Sequence, residues 1–152
     1  MGSEIDLSAA VDDSSVIASI VASMEADSGT IHLVGTDGLL HLQVATPGFP
    51  EVVLATIRTI PVGKGMAGLA AERRRPVDAC NIQTDNSGDV RPGARATALS
   101  GAIVVPIFRG DAVIGTLGVG NRRERQFTPA EVDKLLAFGR ALLDRYPQAV
   151  AI

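Results

Sequence analysis

Apolar side chains recur at helical spacing near both ends of the chain. Residues 16–24 place Val16, Ile17, Ile20, Val21 and Met24 on one face, which predicts an amphipathic helix. Near the other end, residues 128–131 read Thr-Pro-Ala-Glu, a capping box with proline at the first helical position. Apolar residues at helical spacing follow it up to Leu143. The pattern therefore predicts a helix near each end.

Between these helices the pattern changes to strands and short helices. Residues 30–45 hold two β-branched, apolar runs around a Thr-Asp-Gly turn, which predicts a β-hairpin. Residues 52–57 and 66–74 predict short helices, and a brief strand begins at Pro76-Val77. Residues 102–108 and 112–119 are apolar enough for strands covered on both faces. The order predicts one α+β domain.

A long polar loop separates the brief strand from the last two strands. Loops of this length inside a compact domain are usually functional or disordered. Its polar side chains offer donors, acceptors and both charges, and Arg91 and Arg95 suit a carboxylate or phosphate. In the alternative, these arginines pair with Asp85 and Asp89 on a solvated surface. The candidate ligand-binding residues are Cys80, Asn81, Gln83, Asp85, Asp89, Arg91, Arg95 and Thr97.

Composition narrows the function. The 152 residues are 46% apolar and 20% charged, as in ordinary globular proteins. A net charge of −3 and 3% aromatic residues disfavour nucleic-acid binding. No apolar run would span a membrane, and the acidic N-terminus is not a signal peptide, so we expect a cytoplasmic protein with no membrane partner.

Three residues invite sharper chemistry. The single cysteine, Cys80, excludes an internal disulfide and suits a reducing compartment. It could be a redox-sensing thiol, although a free cysteine is more often a buried apolar residue. His32 and His41 are expected on the same face of the hairpin as a polar pair, because a lasting metal site needs further ligands that the sequence does not show.

Five strings in this order resemble the GAF domain family of small-molecule sensors. They are ADSGTIHLV, IPVGKGMAGLAAERRRPV, GAIVVPIF, DAVIGTLGVGNR and FTPAEVDKLL. The resemblance implies a central antiparallel sheet of five or six strands. It places the terminal helices on one face and the short helices and long loop over a ligand pocket on the other. It also implies dimerisation through the terminal helices and attachment to signalling proteins.

The resemblance raises further functional alternatives. GAF-type free methionine sulfoxide reductases use cysteines in this region, and one cysteine leaves no internal resolving thiol. Asn121-Arg122, Phe127 and Glu131 partly match the signature of cyclic-nucleotide-binding GAF domains, with Arg122–Glu131 as the expected ion pair. The glycines around Lys64 lack the spacing of a phosphate loop and are expected to supply turn geometry.

These observations lead to one hypothesis about organisation and function. We expect an N-terminal segment at 1–15, of which 1–3 could be a cloning scar, a GAF domain at 16–146 and a tail at 147–152. The domain would be freestanding or part of a larger protein. We predict a non-enzymatic, cytoplasmic homodimer that binds a small polar or anionic ligand under the 80–97 loop and signals to a partner protein. The alternatives are a single-cysteine redox sensor, a free methionine sulfoxide reductase-like protein, or a ligandless dimerisation module. The sequence identifies no cofactor and no metal ligands.

Overall fold

The computed structural model describes residues 12–152, apart from the side chain of Pro92. Six strands form one antiparallel sheet in the order β3-β2-β1-β6-β5-β4. The predicted α+β fold is confirmed. The strands are β1 Ser28–Val34, β2 Leu40–Ala45, β3 Thr59–Ile60, β4 Val77–Ala79, β5 Gly101–Arg109 and β6 Ala112–Asn121. The helices are α1 Asp13–Ser23, α2 Glu51–Ile57, α3 Gly65–Arg73 and α4 Pro129–Ala141, with 3-10 helices at Pro92–Thr97 (the loop helix) and Leu143–Arg145.

Helices α1 and α4 cover one face of the sheet, which we call the helix face. Their apolar stripes pack on β1, β5 and β6 in one continuous core, whose centre includes Ile20, Val105, Leu117 and Leu135, all fully buried. The alternation of large apolar residues along β5 and β6 supplies this core. The stability of the domain therefore rests mainly on this face.

Polar contacts fix the ends of these two helices. Asp12 caps α1 through the Ser15 amide, and the predicted capping box of Thr128 and Glu131 is formed at α4. The Lys134 ammonium donates to the Ser23 carbonyl at 2.8 Å and so joins α4 to the end of α1.

Arg125 joins three elements on the same face. Its buried guanidinium donates to Glu131 Oε2 at 2.9 Å, to Asn121 Oδ1 at 2.8 Å and to the Glu25 carbonyl at 3.2 Å. The expected Arg122–Glu131 ion pair is wrong, because Arg122 is exposed and Arg125 occupies that place. The Thr128 amide and then Arg125 hold the pKa of Glu131 below its usual value.

The opposite face has a lighter cover. Helix α3 packs over β5 and β6, while α2 and the loop helix lie against each other. Two small apolar clusters replace the continuous core here, one around Leu40 and Val113 and one around Ile82 and Val90. This second face is called the cavity face below.

The hairpin register differs from the prediction. Val34 pairs with Leu40, Leu33 with His41 and His32 with Leu42, so the two histidines lie on opposite faces of the sheet. The reason is a three-residue loop ending in Gly38, whose φ of 78° is left-handed. Such a loop shifts the pairing by one residue relative to a two-residue turn, and one residue reverses the face.

The last residues pair with the sheet. The Val150 amide donates to the Val34 carbonyl, and Ile152 exchanges two hydrogen bonds with Val113. Of the predicted N-terminal segment 1–15, residues 1–11 lie outside the described residues. In the part of the chain that is described, no helix has the length and apolar character needed to cross a membrane.

Candidate functional site

A cavity of about 170 Å³ lies between the cavity face of the sheet and its cover. An apolar cavity of about 150 Å³ is enough to hold one benzene ring, so this volume suits a small organic molecule. The lining is mainly apolar and includes Val53, Ile57, Ile60, Ile82 and Val104. We call this space the sheet cavity.

Small residues on two central strands create the floor. Ser28, Thr30 and His32 alternate along β1, and Ser28 and Thr30 pair with Gly120 and Gly118 of β6. Alternation points these positions to the same face. Gly118 and Gly120 have no side chain on this face, and the cavity occupies the space that larger side chains would fill.

Helix α2 and the loop helix form the roof. They touch at Thr56 and Gly93, where a methyl group on Gly93 would lie 3.6 Å from Thr56 Cγ2. Only Val53 of α2 is buried, so this helix is held by few apolar contacts. The His32 ring adds a polar connection, because Nε2 lies 2.8 Å from the Ile57 carbonyl.

Two polar groups of the floor are buried. Burial lowers the pKa of His32, with a further contribution from His41 and an opposing one from the Ile57 hydrogen bond. The ring is therefore neutral near pH 7, with the proton on Nε2, because a carbonyl can only accept. Ser28 Oγ is buried and has no hydrogen-bond partner in the described part of the chain. The Oγ has almost no surface exposed to the cavity, so it is an unsatisfied buried group that costs stability.

Two cations lie where the cavity meets solvent. Lys64 and Arg91 both line it and are exposed. Within residues 12–152 neither side chain forms a hydrogen bond or an ion pair. A methyl group on Gly65 would lie 3.0 Å from Arg91 Cδ, so the stem of Arg91 lies against the first residue of α3.

The predicted site residues fall into two groups. Arg91 and Thr97 line the cavity, whereas the other six predicted residues do not. Thr97 Oγ1 donates to the Ala94 carbonyl and accepts from the Leu99 amide, so its hydroxyl also closes the end of the loop helix.

The remaining polar side chains mostly brace the loop itself. Arg95 donates to the carbonyls of Ile82 and Asp85, and Gln83 donates to those of Arg95 and Leu99. These bonds satisfy main-chain groups that have no strand partner. The polarity of the loop therefore serves its own conformation to a large extent.

The acidic residues of the loop do not meet Arg91 or Arg95 in ion pairs. Asp89 accepts two bonds from Arg73 of α3, at 2.9 and 3.1 Å, and this pairing lowers the pKa of Asp89. The Asp85 carboxylate accepts from Ser87. Asn81 donates to Glu124 at 2.7 Å. The loop is tied to α3 and to the segment after β6.

Cys80 follows β4 and is exposed. It is absent from the cavity lining, and its carbonyl accepts from the Arg125 amide at 3.1 Å. The prediction of a buried, small apolar residue is therefore wrong. The strand ends one residue earlier, and Cys80 falls in the bend that follows it.

His41 lies on the opposite side of the hairpin, where Nε2 contacts both oxygens of Asp37 at 2.9 Å. Over the described range, no cluster of three or more His, Cys, Asp or Glu side chains could hold a metal ion.

Sequence reasoning missed the floor of the cavity. A signal was present, because Ser28, Thr30, Gly118 and Gly120 are small or polar positions in strands that also carry large apolar residues, namely Ile31, Leu117 and Val119. Glycine inside a strand marks a close approach or an opening. This signal predicts a cavity only when β1 and β6 are known to be neighbours in the sheet.

The comparisons with known proteins place the chain in a family. A family model described as "GAF domain" matches residues 14–142. The chain belongs to the GAF domain family. No curated protein sequence matches it.

Solved structures share the fold at low identity. A free methionine-R-sulfoxide reductase from Neisseria meningitidis, solved with its substrate, has a TM-score of 0.71 and 21% identity over 89% of this chain and 75% of that one. The GAF domain of an Acinetobacter phosphoenolpyruvate-protein phosphotransferase has a TM-score of 0.68 and 20% identity, over 83% and 74%. The reduced form of a Staphylococcus aureus fRMsr has a TM-score of 0.64 and 20% identity, over 88% and 83%.

These structures correct one prediction. The expectation of a non-enzymatic domain is contradicted, because free methionine-R-sulfoxide reductases are enzymes with this fold. The prediction relied on the lack of a second cysteine. That lack excludes only a resolving thiol within the same chain, and an external thiol can also resolve an oxidised cysteine.

Proposed function

We propose that this GAF domain binds a small organic molecule in the sheet cavity. The observation that carries the proposal is the cavity itself, with its mainly apolar lining and the His32 ring on its floor. A concave, mainly apolar site with a few polar groups is the usual form of a ligand site. The ligand lies under α2 and the loop helix, inside the region covered by residues 80–97.

A pair of matched substitutions tests this proposal. Val104→Phe places a ring in the cavity, while Val52→Phe adds the same ring to an exposed position of α2 outside the lining. Protein purified from cells is first examined by native mass spectrometry, and a panel of small molecules is then screened by ligand-observed NMR. We expect wild type and Val52→Phe to bind the same compounds and Val104→Phe to lose them. Equal binding by all three proteins would place the ligand elsewhere.

Ligand binding has a route to the rest of the protein. The roof is held to the floor by the His32–Ile57 hydrogen bond and by few apolar contacts. A bound ligand would therefore increase the fraction of molecules in which the roof is closed over the cavity.

In this proposal the change reaches a partner subunit through α1 and α4. Their exposed faces carry small residues that allow close helix approach, namely Ser15, Ala18, Ser19 and Ala22 on α1 and Ala130, Ala137 and Ala141 on α4.

Sedimentation tests the dimer separately from ligand binding. We expect a dimer that Ala18→Glu and Ala137→Glu convert to a monomer with an unchanged circular dichroism spectrum. A wild-type monomer at high concentration would contradict the dimer and leave ligand binding intact.

The second candidate is reduction of a sulfoxide, and the comparisons favour it over a domain that only senses. In this reaction the Cys80 thiolate attacks the sulfoxide sulfur and the sulfoxide oxygen takes up a proton from solvent. The oxygen then passes to the Cys80 sulfur as the sulfoxide S–O bond breaks, so Cys80 becomes a sulfenic acid and the thioether leaves. A low-molecular-weight thiol then condenses with the sulfenic acid and releases water. A second thiol regenerates Cys80, so two thiols yield one disulfide. Cys80 lies outside the cavity lining, so the reacting sulfoxide would be bound beside the cavity.

An activity assay decides this second candidate. Methionine-R-sulfoxide and excess dithiothreitol are incubated with wild type and with Cys80→Ser, and methionine is measured by mass spectrometry. The candidate requires methionine formation by wild type and its loss in Cys80→Ser. If wild type forms no methionine, the reductase candidate is eliminated. The Cys80→Ser variant also tests the redox-sensor alternative, because peroxide should oxidise the wild-type protein at this cysteine and leave the variant unoxidised there.

A further inference from the structure

The charged groups that line the sheet cavity have one sign. Lys64 and Arg91 bring positive charge. Among the described lining residues there is no Asp, Glu or Cys. Glu72, whose carboxylate would lie 2.7 Å from a methyl group on Gly63, does not line the cavity.

The N-terminus of α3 adds positive potential beside the two cations. Lys64 precedes α3 directly, and this helix of nine residues has no side-chain cap at its N-terminus. Its first amides therefore have no intrahelical acceptor. Arg91 reaches the same place, since its Cδ lies beside Gly65. An ammonium, a guanidinium and helix amides at one end of a cavity form a site for an anionic group.

The rest of the cavity suits a ligand whose remaining part is uncharged. Its volume of about 170 Å³ is lined mainly by aliphatic and aromatic side chains. On the floor, His32 donates from Nε2 to the Ile57 carbonyl, so Nδ1 of the neutral ring is left as a hydrogen-bond acceptor. This acceptor suits an uncharged polar group of the ligand.

We infer that the ligand of the sheet cavity is a small monocarboxylate with an uncharged, mainly apolar body and no ammonium group. The carboxylate binds at Lys64, Arg91 and the start of α3, and the body occupies the apolar interior. An α-ammonium would lie next to the carboxylate and therefore close to Lys64 and Arg91, where like charges repel, and no lining side chain in the described residues supplies a counter-charge. This inference rests on the proposed function and separates simple acids from free amino acids.

Two compounds with the same skeleton test the inference. Methionine carries both a carboxylate and an α-ammonium, whereas 4-(methylthio)butanoate lacks the ammonium. Binding of each is measured by isothermal titration calorimetry, together with neutral 4-(methylthio)butanamide. We expect the acid to bind about tenfold or more tightly than either methionine or the amide.

Variants locate the carboxylate. Lys64→Gln and Arg91→Gln should each weaken binding of the acid by about tenfold and leave the weak binding of the amide unchanged. Arg123→Gln is the control, because Arg123 is exposed and lies outside the lining. It should bind the acid as wild type does. Equal loss in all three variants would indicate a general charge effect and overturn the assignment.

Each remaining outcome is decisive. Equal or tighter binding of methionine overturns the inference while ligand binding in the cavity stands. A panel that returns only neutral or cationic ligands sensitive to Val104→Phe also overturns it and supports the proposed function. A panel with no ligand sensitive to Val104→Phe overturns both.

Discussion

The two faces of the sheet are built in opposite ways. On the helix face, large side chains fill the space under α1 and α4, and Arg125 and Lys134 join the elements through buried or half-buried polar contacts. On the cavity face, glycines leave space in the floor, and the roof is held by His32 and by the Arg73–Asp89 pair. The difference teaches that one sheet can carry a filled core on one side and leave an open cavity on the other.

The largest expected effect on stability comes from replacing Arg125 on the helix face. Arg125→Ala leaves a half-buried carboxylate at Glu131 and an unsatisfied Asn121, so we expect about 3 kcal/mol less stability. Arg122→Ala is the control, because its side chain is exposed, and should change stability by less than about 0.5 kcal/mol. Urea denaturation followed by circular dichroism measures both. Similar losses in the two variants would contradict the assigned role of Arg125.

Two adjacent valines of β5 compare the faces directly. Val105 is fully buried on the helix face, whereas Val104 lines the cavity. We expect Val105→Ala to lower the free energy of unfolding by about 2–3 kcal/mol, because it creates a new void in a filled core. Val104→Ala enlarges an existing space and should cost less than about 1 kcal/mol. Equal urea midpoints for the two variants would remove the distinction between the faces.

Acid should affect the cavity face first. Burial lowers the pKa of His32 below its ordinary value of 6.5, so the unfolded chain takes up this proton before the folded one. Stability is then full above pH 6.5 and falls as the pH drops from there towards the lowered pKa. In His32→Gln, which can still donate to Ile57, this fall should be absent. Urea midpoints from pH 7.5 to about 5 measure it; an unchanged profile would contradict the prediction.

The helix face should respond to acid at lower pH. Burial raises the pKa of Asp13, but hydrogen bonds from Gln43, Arg145 and Tyr146 outweigh it, so the pKa falls below the ordinary 3.8. The stability that Asp13 contributes is complete above pH 3.8 and is lost as the pH falls through the lowered pKa. Asp13→Asn should be less stable at pH 6 and lose less on acidification. Parallel wild-type and variant curves below pH 4 would count against this role.

The smallest expected effect concerns the roof. Arg73→Gln removes the contact with Asp89 that ties the loop to α3, so segment 82–99 should open more often. Thermolysin should cleave this segment several-fold faster, with an almost unchanged urea midpoint. Arg140→Gln, at an exposed position of α4 that forms no ion pair in the described chain, is the control. Identical cleavage rates would show that the pair does not restrain the loop.

The sequence predicted the elements far better than the site. The capping box, the apolar spacing of α1 and the paired runs of β5 and β6 depend on local rules, and they appear in the structure as expected. The hairpin register depended on one choice of turn length, which placed His32 and His41 on the wrong relative faces.

The site depends on contacts between residues that are distant in the sequence. Polar loop residues such as Arg95 and Gln83 suggested ligand contacts, but their side chains bond the main chain of the loop. Ser28 and Gly120 meet only because β1 and β6 are neighbours, which no local pattern specifies. Lys64 was treated as part of a turn, since its position beside Arg91 becomes visible only in three dimensions.

The glycines of β6 have a consequence for how this protein can change during evolution. A Cβ on Gly118 would lie 3.2 Å from Val104 Cγ2, and one on Gly120 would lie 2.8 Å from the flexible end of Leu99. Substitution of either glycine by alanine would make the sheet cavity smaller by one methyl group, and the packing of α1 and α4 on the other face would stay unchanged. The volume of the sheet cavity can therefore change during evolution while the scaffold is conserved, with residues 118 and 120 setting its size.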